Sequence, residues 1–221
     1  MRLSALPVCL LLALPAHAET ILRLVEVGQV AVHPDQLAAT LRADADGSGP
    51  VEVQARVNAA ITAALAQAKA APGITVTTSN YSVFQQQANP QAPRTWHASQ
   101  GIELAGADGP ALLALVGKLQ ASGLAVGQLG WRLAPATARS AHAQAASLAL
   151  SQLRGHADQA AASLGLVFVS FKIVDLDPGA AGVPIRAMAN FAAAMPAPSA
   201  EAADVVVDAR VAAEIILDSK H

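Results

Sequence analysis

The chain has 221 residues, with 14 Lys and Arg against 16 Asp and Glu and a formal charge of −2. That balance excludes the electrostatic footprint of a nucleic-acid binder, and no basic run directs the chain to an anionic membrane surface. Hydrophobic residues reach 53 % but aromatics only 3 %; alanine supplies much of the apolar share, favouring helix and close packing, so the positive mean hydropathy is no membrane signal by itself.

The start reads as a secretory leader over residues 1–18. Arg2 gives the charge, residues 6–15 the short apolar core, and Ala16-His17-Ala18 the small residues before a cleavage site. The apolar stretch is shorter than the ~20 residues a bilayer-spanning helix needs. Cys9, the only cysteine, lies inside that core and not just after it, which argues against lipidation. Removal of the leader would leave residues 19–221 without a thiol, hence with no disulfide, thiolate metal site or cysteine nucleophile. The expected location is the periplasm.

Residues 21–32, rich in Val and Leu with Gly28 near the middle, predict a strand that is bulged or closely approached at the glycine. His33, Pro34 and Asp35 break it. Residues 37–45 follow with Leu37, Ala39 and Leu41 on one face, and Asp46-Gly47-Ser48-Gly49 is a turn. Pro50 suits a first helical position and Glu52 the positive end of a helix dipole. A helix over 51–70 buries Val57, Ile61, Leu65 and Ala68, and Pro72-Gly73 stops it.

Residues 74–84 and 94–104 read as two strands joined by a polar hairpin loop. Asp108-Gly109-Pro110 then repeats the earlier turn-and-proline start; Leu112, Val116 and Leu119 stripe the next helix, which ends at Gly123 before a strand over 124–133. A long helix over 136–164 steps through Ala146, Ala149, Leu153, Ala157, Ala160 and Leu164, predicting a narrow small-residue face. Gly165 ends it, and 166–175 is an apolar strand. A Pro/Ala/Met-rich loop covers 178–204, and residues 205–217 close the chain with alternating Val205, Val207, Val211 and Ile215 against Asp208, Arg210 and Glu214. The expectation is an α+β fold, one continuous body: a mixed or antiparallel sheet with helices on one face, and a repeated segment that reads as an internal ββαβ duplication.

Candidate chemistry is sparse. Asp44 to Gly49 imitates the first half of an EF-hand loop, but Ala55 stands where the bidentate Glu is required, so a strand end and helix start is the reading adopted. His33, His97, His142, His156 and His221 lack metal-ligand spacing, and no Gly-x-Ser-x-Gly, Walker or dinucleotide fingerprint is present. Asp175 and Asp177 read as solvated turn residues, and Trp96 and Trp131 as core. No catalytic residue, metal or cofactor is assigned. Met188, Phe191 and Met195 form a candidate interaction loop, soft apolar side chains suited to a partner surface, with a loop folded back over the sheet as the alternative.

In order along the chain, the strand through Gly28, Val32-His33-Pro34-Asp35, the helix carrying Asn58, Gly73-Ile74 leading to Thr78 and Tyr81, Leu164-Gly165, Met188-Ala189 and the closing strand from Val205 resemble the SIMPL-domain family. Gln29-Val30 stands where that family often has a second glycine, and no Pro-x-Tyr follows Phe84. The resemblance implies a periplasmic or envelope α+β domain, ring- or channel-like oligomers in some members, a loose link to envelope stress, and no catalytic residues to carry over. The leading expectation is a non-enzymatic envelope protein acting by self-assembly or on another envelope protein. A periplasmic small-ligand or peptide carrier is the alternative, and an enzyme built from scattered side chains comes last.

Overall fold

The computed structural model describes residues 19–87, 89, 91, 93–177 and 202–219. Proline and glycine punctuate it as the sequence requires. Helices α1 (Pro50–Lys69), α2 (Gly109–Ala121) and α3 (Pro135–Ser163) each carry proline in the first turn, where its missing N–H has no intrahelical partner to lose. Gly73, Gly123 and Gly165 follow them with φ of +72°, +99° and +72°, the left-handed exit that a residue with a Cβ resists. At the start of α2 the Asp108 carboxylate accepts from the Ala111 N–H at 3.0 Å.

The strands are β1 (Thr20–Val32), β2 (Gln36–Gly47), β3 (Ile74–Gln86), β4 (Thr95–Gly106), β5 (Ala125–Arg132), β6 (Leu166–Leu176) and β7 (Val205–Ser219). They form an α+β fold with two sheets, ordered β3-β4-β2-β5 and β1-β7-β6, every neighbouring pair antiparallel. The doubled segment is therefore βαβ, as β2-α1-β3 and β4-α2-β5, the split arrangement of a ferredoxin-like sheet. The first strand stands outside this repeat because β1 pairs with β7, from Thr20 opposite Leu217 to Val32 opposite Val205, and not with β2.

Each sheet has its own core. Leu37, Leu41, Ile102 and Leu104 from the four-stranded sheet meet Val53, Val57 and Ile61 of α1 and Leu112, Val116 and Leu119 of α2. Trp96 and Trp131 pack against this cluster, as expected of core aromatics. On the three-stranded sheet, Val211, Ile215 and Leu217 meet Ala149, Leu153, Ala157 and Ala161 of α3. The alanine stripe departs from the expected one at its end: Ala161 is buried and Leu164 is exposed. Successive steps of four from Leu153 follow the 3.6-residue turn, whereas a step of three to Ala160 rotates off the buried face.

The chain crosses between the two layers at residues 33–35 and 133–134, and Asp35 fastens the crossings together. Its carboxylate accepts from the Ala134 N–H at 2.7 Å and from the Thr137 hydroxyl, supplying the start of α3 with the acceptor that Ala134 lacks. The Ala134 N–H, followed by the Thr137 hydroxyl, holds the Asp35 carboxyl below its usual range. A depressed carboxyl contributes stability above its unfolded pKa, and that contribution is lost as pH falls through the folded value. The stability of the wild type is accordingly expected to fall below about pH 4, and Asp35→Asn to flatten that fall, read from urea midpoints across pH 2.5–6. An unchanged pH slope in the variant counts against the clip.

Candidate functional site

The described histidines each take a carboxylate from a distant segment. His97 on β4 lies between Asp46, 2.9 Å from Nδ1, and Asp44, 3.6 Å from Nε2, both on β2. Burial opposes ionisation of Asp44, but hydrogen bonds from Arg42 and Ser99 and the charges of Arg42 and His97 outweigh it and lower its pKa. The residues that imitate a calcium loop are thus a strand end: Asp44 and Asp46 belong to β2 and face His97, and Gly49 leads into α1. Elsewhere His33 meets Asp204 at 3.0 Å, His142 meets Asp177 at 2.9 Å, and His156 on α3 bonds Glu26 of β1.

Asp177 does more than the solvated turn residue expected of it. At a φ of +52°, its N–H donates to the Arg210 carbonyl at 2.6 Å. One carboxylate oxygen accepts from the Arg210 N–H at 2.9 Å while the other meets His142. It closes β6 onto β7 and ties both to α3. Asp175 sits on the opposite face, across from Ala212. These pairs are structural fasteners in geometry: among the described residues no polar or charged side chain is buried, and no three His, Cys, Asp or Glu side chains are placed to hold a metal ion. A shallow groove of about 330 Å³ near the end of α3 is lined by Asp158, Ala161, Gly165, Leu166 and Phe168. Its volume reaches the low end for a ligand site, but its carboxylate is engaged by Arg154 at 3.2 Å and no polar groups converge beside it.

The larger feature is the face of the three-stranded sheet that α3 does not cover. Strand side chains alternate between faces. Leu22, Leu24 and Gly28 of β1, Val211, Ile215 and Leu217 of β7, and Phe168 and Phe171 of β6 point toward α3. The other face carries Ile21, Val25 and Val27 of β1, Val206, Ala212 and Ile216 of β7 and Ile173 of β6. Ile21, Val25, Val27, Ile173 and Val206 are 42 to 57 % exposed. Across this face the register sets Ile21 beside Ile216 and Val25 beside Ala212, with Arg23 paired to Glu214 at 2.8 Å between them. The face carries an apolar patch of Ile21, Val25, Val27, Ala212, Ile216 and Ile173 around the Arg23–Glu214 pair, and Gln29, Asp208, Arg210 and Asp175 lie on the same face toward its other end.

Met188, Phe191 and Met195 lie outside the described residues, as does the leader-like segment 1–18. Sequence reasoning missed the uncovered face, although its signal was present in Ile21, Val25 and Val27 at odd positions of β1. No helix among the described residues is long and apolar enough to cross a membrane. Residues 23–215 match the family SIMPL, described as proteins of unknown function (DUF541). No curated protein matches the chain.

Proposed function

We propose, on the premise that the chain belongs to the SIMPL family, that it is an exported envelope protein that acts by assembling with copies of itself and carries out no chemistry of its own. Family membership and the leader-like residues 1–18 support export. One observation carries the assembly reading. In β1 the run Ile21, Leu22, Leu24, Val25 and Val27 has the composition of a strand buried on both faces, and α3 covers only one of them. A half-exposed Val or Ile has about 1 kcal/mol still to gain from full burial, so the five half-exposed side chains together offer several kcal/mol against the cost of association. The Arg23–Glu214 pair sits within this patch, so covering it removes water from an exposed guanidinium at a cost that the apolar burial must offset.

Light scattering on the purified protein tests this. The wild type is expected at a multiple of the single-chain mass, and the double variant Val25→Glu, Ile173→Glu at a lower mass with an unchanged far-ultraviolet circular dichroism spectrum. Both substitutions sit on the uncovered face, away from α3. A wild type at the mass of one chain, or a variant mass equal to that of the wild type, defeats the reading.

A further inference from the structure

The two sheets end in four outer strands, β3, β5, β6 and β1, and three of them are blunted against further pairing. β3 shifts register between Ser79 and Tyr81, with Asn80 at a φ of +30°. β5 has eight residues, with a register shift opposite Thr40 and Leu41. β6 carries two register shifts, and Lys172 falls in one of them. Bulges, shortness and an outward lysine are the devices by which sheet edges avoid other strands.

β1 has none of these. Its 13 residues pair with β7 without a register shift, and among the described residues no strand pairs with the backbone donors and acceptors on its other side. It carries two charges, and both are engaged within the chain: Arg23 with Glu214 and Glu26 with His156. Arg23 is largely exposed but is drawn toward Glu214 of β7, on the side away from the open edge.

Resting on the self-assembly reading, we propose that a second copy of this chain pairs edge to edge with β1, antiparallel, to make one six-stranded sheet. A two-fold axis normal to the sheet keeps both α3 helices on one side and joins the two uncovered faces, with their apolar patches, on the other. That symmetry sets odd residues opposite odd and even opposite even, since side chains of one parity share a face. Like charges directly opposite are destabilising, which rejects a centre at Arg23 or at Glu26, where each would meet its own counterpart. A centre at Leu24 sets Arg23 against the partner's Val25 and Glu26 against the partner's Leu22. A centre at Val25 sets Arg23 against the partner's Val27 and Glu26 against the partner's Leu24. Either brings Val25 and Val27 of both copies to the middle of the joined face, with Arg23 of each copy among them.

The sequence makes the test clean, because Cys9 is the only cysteine. In a Cys9→Ser background, single cysteines are placed at Arg23, Leu24, Val25, Glu26 and Val27, and at Lys172 on β6 as a control edge. Residues opposite each other at the centre have Cα atoms about 4.5–5.5 Å apart, within disulfide reach. One position off the centre, the two copies of a residue are displaced by two residues along the strand, about 8 Å in all, beyond that reach. Mild oxidation is therefore expected to give a covalent dimer for Leu24→Cys or Val25→Cys, with loss of the dimer band at the remaining positions. Absence of any crosslink along β1, in a protein that light scattering shows to be assembled, overturns edge pairing and leaves self-assembly standing. A protein at single-chain mass overturns both, and a dimer at Lys172→Cys in place of β1 moves the interface to the other edge and likewise overturns the proposal.

Discussion

Gly28→Val is expected to detach α3 from the three-stranded sheet and to cost about 3 kcal/mol or more, above the usual range for overpacking a core. The reason is the identity of the neighbours. A Cβ at Gly28 would lie 2.0 Å from the Ala145 carbonyl oxygen and 2.7 Å from the Ala149 nitrogen, both backbone atoms of α3 that cannot rotate aside. The alanines at 141, 145, 146, 149, 157 and 161 present no long side chains and let α3 settle onto β1 this closely. To admit valine the helix must lift, and the buried contacts of Ala149, Leu153 and Ile215 open with it. Gly155 is the internal control. It lies on the same helix with open space where a Cβ would go, so Gly155→Ala is expected to raise stability by up to about 1 kcal/mol through helix propensity. Urea denaturation followed by circular dichroism reads both. A Gly28→Val protein within ~1 kcal/mol of the wild type would mean that α3 is not seated on β1 as described.

That close approach was half legible. A glycine inside a Val- and Leu-rich strand predicts a bulge or a close neighbour, and the alanine spacing of the long helix predicts a narrow buried face, but nothing local says that the two meet. The elements themselves were readable because prolines start the helices and left-handed glycines follow them, and these are local constraints. The division into two sheets was not. It depends on β1 finding β7 across nearly the whole chain, as in the Arg23–Glu214 pair 191 residues apart, and strand pairing at that distance leaves no local mark. The histidines follow the same rule: His97 finds Asp46 only because β2 and β4 are neighbours, and His142 finds Asp177 only because α3 lies over the end of β6.

The candidate face was hidden for a different reason. An apolar strand of unknown partnership is read as core on both sides, because nearly continuous apolar runs usually are. The sequence of β1 states what each face requires, and only the coordinates tell which requirement the chain meets by itself. Here α3 meets one, and the other is left on the surface beside the one edge that lacks blunting. The conjunction has a physical logic. A strand that evades pairing usually carries free charges or kinks, whereas β1 pairs without a kink, both its charges are engaged within the chain, and Ile21, Val25 and Val27 stand among its water-facing positions.

The second large effect concerns the other sheet and asks how far the two layers stand or fall together. Ile102 has no exposed surface and sits on β4 between Leu41 of β2 and Thr78 of β3, facing the cluster that α1 and α2 close. Ile102→Ala removes three buried carbons and leaves a cavity, at a cost of about 2–5 kcal/mol. Both tryptophans of the chain pack on this same cluster, so intrinsic fluorescence reports the four-stranded layer alone. The layers are joined by the two chain crossings, the Asp35 clip, the His33–Asp204 pair and the packing of Leu133 among Val32, Val205 and Val207. The cores on either side are otherwise separate clusters. Loss in one layer can propagate to the other only through that joint. The fluorescence transition of Ile102→Ala is therefore expected to move to distinctly lower urea, while amide exchange around Leu153 in α3 changes by less than about 1 kcal/mol. Gly28→Val should show the converse, with α3 amides exposed and tryptophan emission nearly native. Equal shifts in both probes for either variant would make the joint as strong as the cores it connects, and the chain would then unfold as a single cooperative unit.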